Sequence, residues 1–308
     1  MKILITGGAG FIGSHIADRY LQMGHQVVIV DNLITGRREN IPEKASFYEL
    51  DIRSAELENI IAKEKPDIIN HHAAQMDVRK SVADPIFDAD INVLGGLNLL
   101  QNCVKFKVQK VIFASTGGAI YGEQDNFPAD ESHPLQPLSP YGITKLATEK
   151  YLYFYFQAYG LNYTVLRYAN VYGPRQNPHG EAGVVAIFSE KLLKGEQPVI
   201  NGDGTQTRDY VFVEDVVSAN ELALQNGKNR IYNIGTSKET DVNELYHLIC
   251  RALEIEMPEQ HGPAKAGEQL RSVLDYRRIA SEVGWKPETG LQEGIRKTTG
   301  YFKQKHQK

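Results

Sequence analysis

Lys2-Ile-Leu-Ile-Thr-Gly-Gly-Ala-Gly-Phe-Ile-Gly13 is the stretch on which the fold of this chain turns. An apolar run ends at Thr6, glycines follow at 7, 10 and 13, and residues 11–23 carry the apolar spacing of a helix. Such glycines let the backbone turn tightly out of a strand and offer helix N-terminal amides to a pyrophosphate. The next apolar run ends at Val30-Asp31-Asn32, about 20 residues on, where a carboxylate can accept a ribose hydroxyl. A glycine turn with an unrelated surface aspartate is the bland alternative, and the ordered context weighs against it. Asp31 favours NAD over NADP, because a 2′-phosphate would face its negative charge, although Arg37 and Arg38 stand close by. Asp51 and Ile52, after the third apolar run, are candidate adenine contacts.

Outward from this motif, residues 26–30, 46–50, 67–70, 110–115 and 163–168 read as strands with helical patterns between most of them. That alternation predicts an α/β fold, a Rossmann-type doubly wound parallel sheet covered on both faces. Beyond residue 168 the pattern is irregular, with glycine-rich turns at 172–180 and 201–204 and a helix over 242–253. The expected organisation is an NAD-binding domain over 1–168, to which 209–235 returns. Residues 169–308 form mainly a smaller α/β substrate lobe closing over the sheet's C-terminal edge.

Composition excludes several classes. The 308 residues can bury a substantial core. Their 34 Lys and Arg against 38 Asp and Glu give a formal charge of −4, which argues against a nucleic-acid partner. Cys103 and Cys250 lie far apart and outside metal-ligand spacing, so a reduced, cytoplasmic protein with neither disulfide nor metal is expected. The first strand leaves no room for a signal peptide, and no apolar stretch approaches the roughly 20 residues of a membrane span.

Tyr141 and Lys145 in Ser139-Pro-Tyr-Gly-Ile-Thr-Lys145 lie one turn apart if a helix starts near Pro140. A free phenol, with a pKa near 10, is a poor base at neutral pH unless a neighbouring cation stabilises its phenolate. By themselves such pairs usually mean a solvated aromatic stem beside a charge. Together with the glycine motif and with Ser115-Thr116 at the end of the fifth strand, they imply hydride chemistry at a hydroxyl-bearing carbon.

These features, with His71-His-Ala-Ala-Gln75, Asn92-Val-Leu-Gly95, Arg167-Tyr-Ala-Asn-Val-Tyr-Gly-Pro-Arg175, Arg208-Asp-Tyr-Val-Phe-Val-Glu-Asp215, Tyr232-Asn-Ile-Gly235 and Gly284-Trp-Lys-Pro287, resemble the extended short-chain dehydrogenase/reductase family over almost the whole chain. Within it the likeness is to the nucleotide-sugar 4-epimerases. The resemblance implies NAD-dependent 4-epimerisation of a UDP-hexose, UDP-glucose foremost, through a transient 4-keto sugar. Tyr141 would be the base, Lys145 its partner and a ligand of the nicotinamide ribose, and Thr116, assisted by Ser115, the hydroxyl bridging Tyr141 to the sugar O4. Gly7, Gly10, Phe11, Ile12 and Gly13 would hold the pyrophosphate, and Asp31, Asn32 and Gly36 the adenosine ribose. Asp51 and Ile52 would meet adenine, while Ala73, Gln75 and Tyr168 would border the nicotinamide half. Asn170, Arg208, Lys265 and Arg271 would face the substrate. Ser272 would border the sugar 2-substituent, where a small residue leaves room for an N-acetyl group, unless it merely starts a helix near Asp275.

Two departures from the family pattern matter. Ser115-Thr-Gly-Gly-Ala-Ile-Tyr-Gly122 has what looks like one residue more than usual, which leaves the catalytic hydroxyl open between Ser115 and Thr116. Gly117 and Gly118 stand where 4,6-dehydratases carry proton-transfer groups, so dehydration is not expected. Lys265 replaces an arginine and cannot fork onto a diphosphate. Other sugars (UDP-N-acetylglucosamine, UDP-glucuronate), a net oxidoreductase or decarboxylase, and a non-catalytic NAD-binding regulator are the alternatives. The family also implies a homodimer through helices over 84–103 and 141–159, with Leu152, Phe154, Tyr155 and Phe156 supplying excess apolar surface.

Overall fold

The computed structural model describes residues 1–178, 183–264 and 269–307. β1 (Lys2–Thr6), β2 (Gln26–Asp31), β3 (Ser46–Glu49), β4 (Ile68–His71), β5 (Lys110–Thr116) and β6 (Asn162–Tyr168) lie in one sheet with Arg230–Ile234. The spatial order is Arg230–Ile234, β6, β5, β4, β1, β2, β3, every pairing being parallel. The order reverses at β1, and a parallel sheet opens its ligand crevice beyond the carboxyl ends of its strands at such a reversal.

Both faces are covered, which explains why the strands read as unbroken apolar runs. Ile3 and Ile5 pack with Ile16, Tyr20, Ile29, Ile112 and Leu166 on one side. Leu4 packs with Val28, Val30, Ile69, Phe113, Leu99 and Leu152 on the other. Helix α1 (Phe11–Gln22) lies against the Val213–Gln225 helix on the first face. Asn70 ties that layer to the sheet, donating to the Tyr20 hydroxyl (2.9 Å) and to Asn220 Oδ1 (3.0 Å).

The 84–103 segment is not one regular helix. Pro85–Ala89 is α-helical, Asp90–Gly95 widens into a π-helical turn, and Gly96–Lys105 resumes the α-helix. The Asn92 side chain in the wide turn reaches outward, accepting from the Gln75 backbone N–H and donating to the Gln75 carbonyl, both at 2.9 Å. Leu152 and Tyr155, expected as excess surface, are 1% and 6% exposed and pack inside their own subunit, with Phe156 partly buried beside them. Ile143, Tyr153, Phe154 and Tyr159 are the large apolar side chains of the Pro140–Tyr159 helix that stand more than half exposed.

After β6 the chain builds the second layer. Asn170–Tyr172 pairs with Tyr210–Phe212, and Thr207–Arg208 lies between Thr240–Asp241 and Arg271–Ser272. Ser272 is therefore a strand residue, and the following helix begins only at Arg277. Asp209 knots the layer together: its buried carboxylate accepts from the Thr236, Ser237 and Leu274 amides and the Thr236 hydroxyl, while desolvation pushes it up to about 6. A cluster of Tyr172, Phe188, Phe212, Leu245, Tyr246 and Ile249 forms its core. Among the described residues no helix is long and apolar enough to cross a membrane.

Candidate active site

The glycine turn has no room for side chains. Gly7 adopts φ 72°, and a Cβ there would lie 2.6 Å from the Ala73 nitrogen. A Cβ on Gly13 would lie 2.3 Å from the Gly7 carbonyl oxygen. The first bond of α1 runs from Ser14 N–H to Gly10 O (3.1 Å), which leaves the amides of Phe11, Ile12 and Gly13 outside the helical ladder. These are the donors an anion needs at a helix start. The residues present thus fit a bound dinucleotide.

Asp31 is fixed at the end of β2 by accepting from Ala9 N–H (3.0 Å) and Leu33 N–H (2.8 Å). Burial pushes this carboxyl upward and the two amides oppose it. Gly36 packs on it, a Cβ there lying 2.7 Å from Asp31 Oδ1. Asn32 donates to Asp51 (3.0 Å), and Arg53 holds the Asp51 carboxylate down to about 2. The Asp51 side chain is thus already paired. Ile52 is buried, and its carbonyl accepts from Asn98 at 2.7 Å.

One cleft collects these groups with Ala73, Gln75, Ser115, Tyr141, Lys145 and Tyr168. Gln75 serves as scaffold: its amide donates to the Asp77 carbonyl (3.0 Å) and Asp88 (2.8 Å) and accepts from Asp77 N–H (2.8 Å). The Tyr168 hydroxyl contacts Asn220 Nδ2 (2.8 Å) and His72 Nε2 (3.1 Å). Thr6 Oγ1 accepts from Ala73 N–H at 3.2 Å and shares a hydrogen bond with His71 Nδ1 at 2.7 Å. Burial, with Lys145 alongside, holds His71 and His72 down at about 3, so both imidazoles are neutral.

Ser139 caps the Pro140–Tyr159 helix by accepting from Gly142 N–H, and Pro140 fills its first turn. Tyr141, Lys145 and Glu149 follow at four-residue steps on one side. Lys145 Nζ donates to the Ala114 carbonyl (2.9 Å) and lies 5.8 Å from the Tyr141 ring centre. Desolvation pulls this ammonium down to about 8, while Asp88 and Glu149 oppose the shift.

Ser115 and Thr116 are not equivalent. The Ser115 side chain is buried and donates to Glu149 Oε1 at 2.5 Å, which commits it to the ion pair between Glu149 and Arg167. Thr116 is partly open. A Cβ placed on Gly118 would lie 3.7 Å from Asn170 Oδ1 and 4.0 Å from Thr116 Oγ1, so both groups border the space above that glycine. Gly117 is closed off instead by Leu274, 2.3 Å from such a Cβ. Gly117–Ile120 form a short helical turn.

Asn170 and Arg208 line a second cleft with Tyr172, Gln176, Gln206 and Tyr210. Arg271 is directed elsewhere: its guanidinium forks onto Glu239 (2.9 and 2.7 Å) and stacks 3.7 Å above the Phe127 ring centre. Lys265 lies outside the described residues. Sequence reasoning missed Asp88, Glu149 and Gln176. For Glu149 a signal existed, one further turn along the face that carries Tyr141 and Lys145.

A model of the NAD dependent epimerase/dehydratase family matches residues 3–235. The chain belongs to this family. NAD is accordingly its cofactor. Within the family, the UDP-glucose 4-epimerase of Mycolicibacterium smegmatis is 46% identical, with 100% of each chain covered. The UDP-glucose 4-epimerase of Thermotoga maritima, solved with UDP-glucose, is 48% identical at a TM-score of 0.97, with 99% of each chain covered. That of Thermus thermophilus, solved with NAD, is 46% identical at a TM-score of 0.94, covering 98% of this chain and 99% of its own.

Proposed function

We propose that this enzyme interconverts UDP-glucose and UDP-galactose by inverting C4 of the sugar. The observation that carries the reading is the position of Tyr141 and Lys145 on one helical face at the glycine-turn cleft, with Asn170 Oδ1 and Thr116 Oγ1 both within 4.0 Å of where a Cβ on Gly118 would stand. NAD, when bound, would supply reversible hydride transfer at C4 of the sugar. Tyr141 removes the proton from O4 as that bond is oxidised and restores it on the return. The Lys145 ammonium lowers the cost of the phenolate. Thr116, rather than Ser115, connects Tyr141 to O4, because the Ser115 hydroxyl is committed to Glu149. Gly117 and Gly118 cannot move protons, which supports epimerisation over dehydration.

On this reading the 7–13 turn holds the pyrophosphate, Asp31 with Asn32 and Gly36 holds the adenosine ribose, and Ile52 covers adenine. Asn170 and Arg208 hold the UDP moiety. Residues 1–168 and 209–235 form the cofactor domain, and most of the remainder covers the sugar nucleotide. The exposed Ile86 and Leu94, with Ile143 and Phe154, support a homodimer formed through the 84–105 and 140–159 segments. Two buried, unpaired cysteines accord with a cytoplasmic enzyme. Incubation with UDP-glucose or UDP-galactose should give the same mixture of the two from either side, read by proton NMR without added cofactor. A single unchanged sugar, or a stoichiometric demand for free NAD, would refute the proposal.

A further inference from the structure

Asp88 is a carboxylate with 0% exposure on the short Pro85–Ala89 helix, and the glycine motif, the Tyr and Lys pair and the substrate-facing residues leave it without a role. Both of its oxygens are acceptors. Oδ1 takes the Gln75 side-chain N–H at 2.8 Å and Oδ2 takes the Thr144 hydroxyl at 2.7 Å. One contact reaches the turn that walls the cofactor cleft, and the other reaches the residue just before Lys145. No cation lies within ion-pair distance of it among the described residues. A buried carboxylate with two neutral donors is costly unless a positive charge stands near enough to compensate.

We propose that Asp88 is a positioning residue of the reaction, bracing the Gln75 turn against the Tyr141 helix and supplying the counter-charge that keeps Lys145 an ammonium. The proposal deepens the epimerase reading and takes its role in catalysis from it. The other groups around Lys145 are paired or uncharged. Glu149, one turn along the same helix, is neutralised by its two-pronged pair with Arg167, both side chains being 2% exposed. His71 and His72 on the β4 side are neutral, and Lys145 itself helps keep them so. Tyr141 on the same helix is uncharged while its phenol keeps its proton. Of the two carboxylates that favour the Lys145 ammonium, Asp88 is the one without a cation at ion-pair distance among the described residues.

The test reads Lys145 directly, so it does not depend on turnover. In protein labelled at lysine Cε, with the Lys145 signal identified by its loss in Lys145→Met, Asp88→Asn should lower the Lys145 midpoint by roughly one pH unit, the low end for losing a nearby opposite charge. Thr144→Val removes the hydrogen bond but keeps the charge, and should leave the midpoint within about 0.2 unit, well below the shift from a lost charge. The alkaline limb of the kcat profile should move with the midpoint in Asp88→Asn. An unchanged midpoint in folded Asp88→Asn, or an equal shift in Thr144→Val, overturns the proposal. A wild-type measurement covers the case in which Asp88→Asn does not fold: the Asp88 carboxyl carbon should inflect at the Lys145 midpoint, and a flat response there also overturns it. If the midpoint shifts while neither sugar nucleotide is epimerised, the epimerase reading fails and the Asp88 coupling stands.

Discussion

Arg167 and Glu149 meet fork to fork, Nε to Oε1 at 3.0 Å and Nη2 to Oε2 at 2.7 Å, at the junction of β6 and the helix that carries Tyr141 and Lys145. The remaining Arg167 nitrogen donates to the Tyr121 hydroxyl (2.9 Å), which donates to Asn233 Oδ1 (2.7 Å). Glu149→Gln would leave a buried guanidinium without its counter-charge, and should cost about 3–5 kcal/mol in urea unfolding. Ser115→Ala removes one neutral donor from the network. It should cost about 1–3 kcal/mol while turnover stays within a few-fold, whereas Thr116→Val should lose most of its turnover at near-normal stability. The reverse ranking of the two hydroxyls in activity would make Ser115 the catalytic one.

Tyr141→Phe keeps the ring and removes the hydroxyl proposed as the acid-base group. Turnover should fall at least about a hundredfold, the low end for general base catalysis, with NAD binding by calorimetry preserved. Near-normal turnover in the folded variant would exclude Tyr141 as the base.

Lys145 ties stability to pH. Its folded-state value of about 8 lies below its ordinary 10.5, so between those limits the unfolded chain binds more protons and the side chain's contribution to stability rises with pH. Compared with Lys145→Met, which does not titrate, cofactor-free wild type should gain up to about 3 kcal/mol between pH 7.5 and 10.5. Parallel urea curves at the two pH values give the difference, and a constant gap would mean that Lys145 titrates normally.

The Asp31 carboxylate is held in place by two amides, so it cannot easily swing away from a 2′-phosphate. Calorimetry on cofactor-free protein should find NAD bound at least about tenfold tighter than NADP, and Asp31→Ser should narrow that ratio. Equal affinities in the wild type would remove the argument from charge.

Ser272 is 2% exposed on a strand paired with Arg208. The enzyme should accept UDP-N-acetylglucosamine as well as UDP-glucose, and Ser272→Tyr should depress kcat/KM for the acetylated sugar at least about tenfold more than for the other. A variant that loses both equally, or a wild type confined to the non-acetylated sugar, would show that position 272 does not gate the pocket.

Short-range pattern carried much of the design. The unbroken apolar runs of β1, β2 and β5 mark strands buried on both faces, and the glycine spacing and Asp31 need only the geometry of one strand-turn-helix unit. Tyr141 and Lys145 were legible because a helix puts residues four apart together whatever surrounds it. The sequence alone therefore determined six strands of the sheet, the glycine turn and the helical spacing of Tyr141 and Lys145, whereas the seventh strand, Arg230–Ile234, emerged only in the fold. Only tertiary structure decided which of two consecutive hydroxyls is free, since neighbours on a strand point to opposite faces and Glu149 covers just one of them. It also turned Arg271 onto Glu239, 32 residues away, and placed Asp88 between Gln75 and Thr144. A charged or polar side chain takes whichever partner the packing of separate elements brings within about 3 Å, and that distance is not written in the spacing of residues along one element.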